Sequence, residues 1–226
     1  MREWFLFFQS ILPNFIQGAQ VTLQLTFGGL LLGFVIGLPA AVLRVYGGKK
    51  LSWLAIAYIE LFRGTPILVQ LFVIYFGLPD LGITMSRMGA AVLAMGLNSG
   101  AYQAEYFRGA IQAVGGGQMM AARAIGMSRY KAIRHIILPQ ALRLVIPAWS
   151  NEPISLLKAS SVAFLIAVPD LMTTAKAIVV KTYDPIGTYL AVAVVYLVLV
   201  YVLNIFLELA EKNLQIPGFK LEAQQR

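Results

Sequence analysis

The sequence predicts an all-α membrane protein with five transmembrane helices, an outward N-terminus and a cytoplasmic C-terminus. Hydrophobic residues make up 59% of the 226 residues and charged residues only 12%, and the mean hydropathy is +0.75. Soluble domains usually contain about 45–50% apolar residues, so lipid is the expected solvent. The apolar segments are long and uniform rather than alternating, which argues against a membrane β-barrel.

Five segments are long enough to cross the hydrocarbon core, which requires about 20 helical residues. From the N-terminus, they lie at about 18–43, 51–77, 88–107, 141–168 and 185–207. The last is the clearest, because no charge lies between Asp184 and Glu208. Before the first span, an aromatic segment predicts a short interfacial helix that ends near Pro13. No linker divides the chain, so residues 1–226 are expected to form a single domain.

The basic residues predict the orientation of these spans. Twelve of the 18 lysines and arginines fall on one side of the predicted membrane: Arg44, Lys49, Lys50, Arg108, Arg123, Arg129, Lys131, Arg134, Arg143, Lys212, Lys220 and Arg226. Four fall on the other side: Arg2, Arg87, Lys176 and Lys181. Cytoplasmic loops carry the excess of basic residues, so the first group is predicted to be cytoplasmic. This topology explains the net charge of +8 without a nucleic-acid partner.

Several kinds of chemistry are excluded by composition. The chain has no cysteine and one histidine, so disulfides, thiolate metal sites and histidine-rich metal centres are not expected. A membrane enzyme would need a cluster of nucleophile, base or metal ligands, and the sequence shows none. We therefore expect a chain without catalytic or metal-binding residues.

A basic segment interrupts this apolar sequence at 119–141, MMAARAIGMSRYKAIRHIILPQA. No carboxylate lies between Glu105 and Glu152. The spacing of the apolar residues predicts a helix that ends at Leu138-Pro139, and Gly126 inside it suits a bend or a close backbone approach. From the pattern alone, two roles stay open: a helix that rests on anionic lipid and a docking site for a cytoplasmic partner.

The basic segment resembles the "EAA" loop of ABC importer permeases, whose signature is Glu-Ala-Ala, three residues, Gly and a spacer before Leu-Pro. The matching residues are Ala121, Ala122, Gly126, Leu138 and Pro139. Other motifs resemble the polar amino-acid permeases of the histidine/glutamine type: FRGTPILVQL at 62–71, AYQAEYFRGAIQAV at 101–114, GQ at 117–118, LPQALR at 138–143 and ISLLKASS at 154–161. The chain departs from the family pattern at Met120, where the family has Glu, and at Pro153, a position that is usually apolar.

The resemblance implies a permease subunit of an ATP-driven polar amino-acid importer in the bacterial cytoplasmic membrane. It implies three protein partners: a dimer of ATP-binding cassette ATPase subunits, a second identical or similar permease chain, and an extracytoplasmic amino-acid-binding protein. Residues 118–137 would form a pair of coupling helices on the ATPase. The implied contact residues are Ala121, Ala122, Arg123, Gly126, Arg129, Arg134, Leu138 and Pro139.

No cofactor is expected on this chain itself. It lacks the Gly-x-x-x-x-Gly-Lys-Ser/Thr loop that cradles nucleotide phosphates. ATP and Mg²⁺ are therefore expected on the partner ATPase. The outward loops at 78–87 and 170–184 are the expected docking surface for the amino-acid-binding protein, on their position alone.

Polar residues inside the spans predict a substrate site, because such residues are costly in lipid and usually functional. A free amino acid needs donors for its carboxylate and acceptors for its ammonium. The predicted site lies near the midplane and is lined by Asn98, Tyr102, Glu152 and Ser155, with Thr65 and Lys158 as further candidates. Glu152 would attract a cationic side chain, which favours arginine, lysine or histidine as substrate. Pro153 is expected to push Glu152 away from helical geometry.

Alternative interpretations stay open at this point. Asn98 and Ser155 could simply bond neighbouring helices, and Glu60 and Arg63, three residues apart, could form a structural pair. A glutamine or glutamate importer is the nearest functional alternative. An ion-coupled secondary transporter is the alternative from another class, and it would need a relay of ionisable residues in the spans.

Overall fold

The computed structural model describes residues 2–114 and 116–214, with side chains for 12–114 and 116–212. Over these residues the chain is helical and contains no strand. The α-helices are α1 (Arg2–Tyr46), α2 (Lys49–Gly64), α3 (Ile67–Phe72), α4 (Arg87–Ala113), α5 (Gly116–Ala124), α6 (Arg129–Ala132), α7 (Leu138–Leu144), α8 (Ile146–Trp149), α9 (Asn151–Ala159), α10 (Leu171–Thr182) and α11 (Pro185–Leu214). Two π-helical turns (Val73–Gly77 and Ile133–Ile137) and two 3-10 turns (Leu78–Leu81 and Ser160–Ile166) connect several of them.

Two described helices are long and apolar enough to cross a membrane on their own, Leu12–Tyr46 within α1 and Pro185–Lys212 within α11. Two bent pairs also qualify if each counts as one span. Lys49–Gly64 with Ile67–Leu81 bends by 105°, and Ile146–Ile166 with Leu171–Thr182 bends by 52°. The all-helical class is confirmed, whereas the number of five spans and their orientation stay predictions.

Helix α4, which contains the third predicted span, lies at the centre of the bundle. Its 27 residues extend roughly 40 Å at about 1.5 Å per residue, so length does not prevent it from crossing. Thirteen of its residues are buried, including the polar Ser99 and Gln103. A helix covered by other helices can carry polar side chains that a lipid-facing helix cannot. Mean hydropathy alone therefore underestimates how well α4 is suited to a membrane.

Small residues let α1 and α4 pack with their backbones close together. Gly29, Gly33 and Gly37 recur every four residues along α1, the spacing that aligns residues on one helix face. A Cβ atom on Gly37 would lie 2.6 Å from the Gly100 carbonyl oxygen and 3.1 Å from the Ala104 nitrogen. Both contacts are with backbone, so only glycine fits at position 37.

Three prolines do not end or displace the helices as predicted. Helix α1 continues through Pro13, so no separate interfacial helix ends there. Pro139 follows the π-helical turn and lies in the first turn of α7, where its missing N–H leaves no hydrogen bond unmade. Pro153 lies in the first turn of α9, and Glu152 is helical rather than displaced from the helix.

The π-helical turn before α7 explains how the chain passes Pro139 without breaking. The Leu138 N–H donates to the Ile133 carbonyl, one residue further back than in an α-helix. Gln140 Nε2 then donates to the Ile136 carbonyl over 2.8 Å. This bond adds a side-chain donor to a carbonyl of the π-helical turn.

Candidate coupling surface and polar core

The predicted coupling segment consists of two short helices joined by a turn at Gly126. The Gly126 N–H donates to the Arg123 carbonyl and the Met127 N–H donates to the Ala122 carbonyl, each over 3.0 Å. This pair of bonds is the Schellman arrangement that ends an α-helix. It requires a left-handed residue, and Gly126 has φ +84°. No atom of this chain lies within 4 Å of a Cβ built on Gly126, so within the chain the glycine provides a bend.

The next helix, α6, starts directly after this turn. Ser128 caps it by accepting a hydrogen bond from the Lys131 N–H over 3.3 Å. The single continuous helix that the apolar spacing predicts for 119–137 is therefore wrong. Each segment on either side of Gly126 is helical, as the apolar spacing predicts. The left-handed conformation of Gly126 changes the direction of the chain between the two helices.

Apolar side chains on this segment are largely exposed. Met120 is 70% exposed, Ile125 77% and Tyr130 68%. Arginines surround them: Arg123 donates to the Met127 carbonyl over 3.3 Å, and Arg134 donates to the Tyr130 hydroxyl over 3.3 Å. An apolar centre with a polar rim is the usual composition of a protein interface. We call Met120, Ile125 and Tyr130, together with Arg123 and Arg134, the coupling surface.

The eight predicted contact residues divide between this surface and its base. Six are exposed: Ala121, Arg123, Gly126, Arg129, Arg134 and Pro139. Ala122 is buried and Leu138 is half-buried, so both support the surface from below. The Arg129 guanidinium lies over the Tyr46 ring, 5.4 Å from its centroid, which connects α6 to the end of α1.

An apolar cluster holds the coupling segment against the bundle. Ile137 is buried with Phe107 and Ile111 of α4, and Met119 and Leu138 pack against the same cluster. Movement of the coupling segment would therefore act directly on α4. This cluster joins the coupling segment to α4.

A polar side chain closes the break between α2 and α3. Gln70 Nε2 donates to the Phe62 carbonyl (2.9 Å), the Thr65 carbonyl (3.0 Å) and the Thr65 hydroxyl (2.9 Å). Asn98 Nδ2 of α4 donates to the same Phe62 carbonyl (3.0 Å) and to Gln70 Oε1 (3.1 Å). Broken helices persist in membranes only where such partners satisfy the backbone.

A second polar group lies in the interior of the bundle, around Glu152. Ser99 Oγ donates to Glu152 Oε1 over 2.6 Å, and Gln103 Nε2 donates to Ser99 Oγ over 3.0 Å. Trp149 Nε1 completes the chain by donating to Gln103 Oε1 over 2.9 Å. Glu152 is 5% exposed, and Ser99 and Gln103 are fully buried.

The six predicted substrate residues do not converge on one point. Asn98 and Thr65 belong to the helix break, and Tyr102 lies half-buried beneath the Arg63 guanidinium, 5.3 Å from the ring centroid. Glu152 belongs to the interior group. The remaining two, Ser155 and Lys158, are exposed, and Lys158 lines a largely apolar cavity of about 380 Å³.

Glu105 connects three helices through arginines. It pairs with Arg44 of α1, and Arg108 of α4 donates to Glu105 Oε2 over 2.9 Å. Arg63 of α2 reaches the same oxygen at 3.9 Å. The Glu60–Arg63 pair predicted from spacing is therefore wrong, because Arg63 turns towards α4 instead.

Sequence reasoning missed four polar residues that organise the interior: Gln70, Ser99, Gln103 and Glu105. Ser99 and Gln103 are spaced by four residues, so a helical periodicity of polar residues within α4 could have indicated a polar face. Gln70 stands alone in an apolar run, and no sequence signal indicates that it bonds back to the break.

Together these features define a helical membrane protein with a polar interior and an exposed basic surface. Residues 29–216 match the family described as "Binding-protein-dependent transport system inner membrane component". The chain belongs to this family, which confirms the predicted resemblance to ABC importer permeases.

Characterised relatives match over most of the chain. The glutamine transport system permease protein of Escherichia coli is 38% identical over 218 residues, covering 95% of this chain and 98% of the relative. The histidine/lysine/arginine/ornithine transport system permease protein of Escherichia coli is 40% identical over 206 residues, covering 87% of each chain.

Solved structures share the fold. The crystal structure of an amino acid ABC transporter with histidines superposes with a TM-score of 0.84 at 39% identity, covering 92% of this chain and 98% of the other. A methionine ABC transporter in an inward-facing conformation superposes with a TM-score of 0.78 at 23% identity, which shows the same fold.

Proposed function

We propose that this chain is the membrane-spanning permease subunit of an ATP-driven importer of basic amino acids. It would move its substrate inward across the bacterial cytoplasmic membrane by alternating access. Relatives named as amino-acid permeases support the amino-acid class. The exposed coupling surface supports docking of a separate ATPase as the energy source. The chain itself lacks a phosphate-binding loop.

The coupling surface is the observation that carries this proposal. Large apolar side chains with little cover are unusual in water unless a partner covers them, and here they lie on α5, on α6 and in the turn between these helices. The same helices are anchored to α4 through Ile137 and Met119. Closure of a bound ATPase pair would therefore shift α4 against its neighbours. A second permease chain and an amino-acid-binding protein would complete the transporter.

Co-purification from native membranes tests the coupling surface. Gly126→Asp places a negative charge beside Arg123 and Arg129, and aspartate tolerates the left-handed backbone better than most residues. Gly82→Asp is the matched control, because Gly82 has φ +80° and an equally open surrounding. We expect the tagged wild type and Gly82→Asp to recover an ATPase subunit, and Gly126→Asp to lose it.

Either of two results would contradict the coupling role. If the chain is recovered alone and no sample hydrolyses ATP, the basic segment returns to the lipid-surface interpretation. If both aspartate variants lose the ATPase equally, the effect arises from the fold and not from this surface.

The preference for a basic substrate depends on Glu152. The buried Glu152 carboxylate interacts with the neutral hydroxyls of Ser99 and Tyr106, and no cation among the described side chains lies within salt-bridge distance of it, so it has capacity for a positive partner. The cationic group of arginine, lysine or histidine would supply that partner. Glutamine or glutamate transport is the alternative, and relatives with both substrate classes match this chain to a similar degree.

Uptake into proteoliposomes that contain the whole transporter tests this preference. We expect Glu152→Gln and Glu152→Ala each to lower arginine uptake roughly tenfold or more, because a hydrogen bond to a charged group contributes about 1.5–3 kcal/mol. Glutamine uptake by the same variants should change less. Glu60→Gln removes an exposed carboxylate and is the control. Unchanged arginine uptake in Glu152→Ala would disprove the assignment.

An ion-coupled secondary transporter is not favoured. The chain belongs to the binding-protein-dependent family, and the acidic residues in the described interior are held in separate hydrogen-bonded groups. Asp170, which is fully buried, accepts from the Thr173 N–H at the start of α10. Glu152 is bonded to Ser99, while Glu105 is paired with arginines elsewhere in the bundle.

A further inference from the structure

A groove of about 520 Å³ opens at the start of α2, lined by Lys49, Lys50, Trp53 and Leu54. Trp53 is 65% exposed and Leu54 is 57% exposed. Lysines four residues before each of these side chains lie on the same helix face. The groove thus has a cationic end and an apolar end, separated by one helical turn.

No described carboxylate pairs with the cationic end of the groove. Among the described side chains, the salt bridges engage Arg44, Arg63 and Arg108, and neither lysine has a carboxylate within 4 Å. No acidic residue lies in the first turn of α2, and Gly48 provides no side-chain cap. The free N–H groups at this helix start add to the positive potential. An anionic group is the chemically complementary occupant.

The position of the groove indicates which anion fits. Lys49 and Lys50 end the predicted cytoplasmic loop, and the predicted span 51–77 begins immediately after them. Trp53 and Leu54 therefore lie just inside the apolar layer, where tryptophan is enriched. A soluble anion would satisfy the lysines but leave this apolar end uncovered. A phospholipid satisfies both, because its phosphate and its acyl chains are joined at the same depth.

We propose that this groove binds an anionic phospholipid of the cytoplasmic leaflet. Lys49 and Lys50 bind the headgroup phosphate, and Trp53 and Leu54 contact the first part of an acyl chain. The site shares no residue with the coupling surface. It requires the membrane orientation predicted above and does not depend on which solute is carried.

Quenching of tryptophan fluorescence by brominated lipid tests this site directly. The whole transporter is reconstituted in bilayers of phosphatidylcholine with a minor fraction of phosphatidylglycerol, and either one lipid or the other carries bromine on its acyl chains. The signal of Trp53 is obtained as the difference between the wild type and Trp53→Phe. We expect brominated phosphatidylglycerol to quench Trp53 more than its mole fraction predicts.

Two double variants identify the source of that preference. Lys49→Gln/Lys50→Gln should lower the apparent preference for phosphatidylglycerol at Trp53 roughly fivefold per lysine removed, the effect of one basic residue near an anionic surface. Lys176→Gln/Lys181→Gln removes two exposed lysines from the opposite predicted side and should change nothing. The melting temperatures of both variants serve as a check on folding.

Three results would overturn the proposal. Quenching in proportion to mole fraction would show that the groove does not select anionic lipid. A preference that survives in Lys49→Gln/Lys50→Gln would show that the lysines do not bind the headgroup. Weak quenching by both brominated lipids would show that protein, a second chain or the ATPase, covers Trp53.

Discussion

Glu105 contacts arginines from α1, α2 and α4, so one carboxylate holds three helices together in the C-terminal half of α4. Its side chain is 16% exposed, whereas those of Arg44 and Arg63 are 22% and 39% exposed. Partial burial strengthens these pairs relative to surface salt bridges, which are worth little. Without the carboxylate, three like charges would remain close together.

We therefore expect Glu105→Gln to destabilise the chain by about 1–2 kcal/mol, below the cost of breaking a fully buried pair. The measurement is thermal unfolding of the purified transporter in mild detergent. Arg44→Gln should cost less in the Glu105→Gln background than in the wild type, since the partner is already lost. Additive effects of the two substitutions would contradict a direct interaction.

At this scale the sequence predicted individual polar residues but not their partners. Asn98 and Glu152 stood out because polar groups are rare in lipid, and both prove to be hydrogen-bonded inside the bundle. The neighbour that each side chain contacts depends on the rotation and tilt of its helix. These cannot be derived from the local sequence. Arg63 shows this best: its side chain bypasses Glu60, three residues away, for Glu105 on another helix.

At the scale of helices, the contact between α1 and α4 is set by the absence of side chains. Gly33 and Gly37 face α4 so closely that an added Cβ would meet side-chain or backbone atoms at 2.5–2.6 Å. In lipid no hydrophobic force drives helices together, so close backbone packing carries much of the association. This stripe of glycines is therefore a structural requirement of the bundle.

Gly37→Leu should separate α1 from α4 and lower the yield of folded protein severely, because overpacking against rigid backbone typically costs about 1–3 kcal/mol or more. Gly109→Leu is the matched control on α4, where no atom lies within 4 Å of the added Cβ. The measurement is the monodisperse fraction in size-exclusion chromatography. Equal yields of the two variants would show that the two helices are not packed through this stripe.

Helix boundaries were harder to predict than helix existence. The sequence predicts helix breaks at Pro13 and at Leu138-Pro139, and it predicts that Pro153 displaces Glu152 from helical geometry. The helices continue through all three sites. The physical reason is the setting: in lipid, unsatisfied backbone costs more than a locally altered turn. The break that does occur, after Gly64, is stabilised by a distant residue, Asn98, so no local rule could reveal how it is closed.

For the whole molecule, the distribution of basic residues predicts which loops face the cytoplasm. The absence of cysteine makes this prediction simple to test with single introduced cysteines. Leu81 is 76% exposed, Tyr183 89% and Ile125 77%, so all three sites should be accessible to a reagent on their own side. In spheroplasts, a membrane-impermeant maleimide should label Leu81→Cys and Tyr183→Cys but not Ile125→Cys.

Disruption of the membrane should then expose Ile125→Cys to the same reagent. Labelling of Ile125→Cys in intact spheroplasts would reverse the orientation. Labelling of only one of the two outward positions would change the number of spans between them. Both outcomes would leave the family assignment unaffected, since it depends on the match over 29–216.

The low hydropathy of α4 also has a consequence for biosynthesis. A helix with Asn98, Gln103 and Glu105 would partition poorly into lipid as a single segment leaving the translocon. Helix α1 is synthesised earlier and already lies in the bilayer when α4 emerges. Its Gly33 and Gly37 are then available to pack against α4. We therefore expect α4 to enter the membrane together with α1 and not independently. A substitution in the glycine stripe would then prevent insertion of α4, and the cell would degrade the chain before it could assemble.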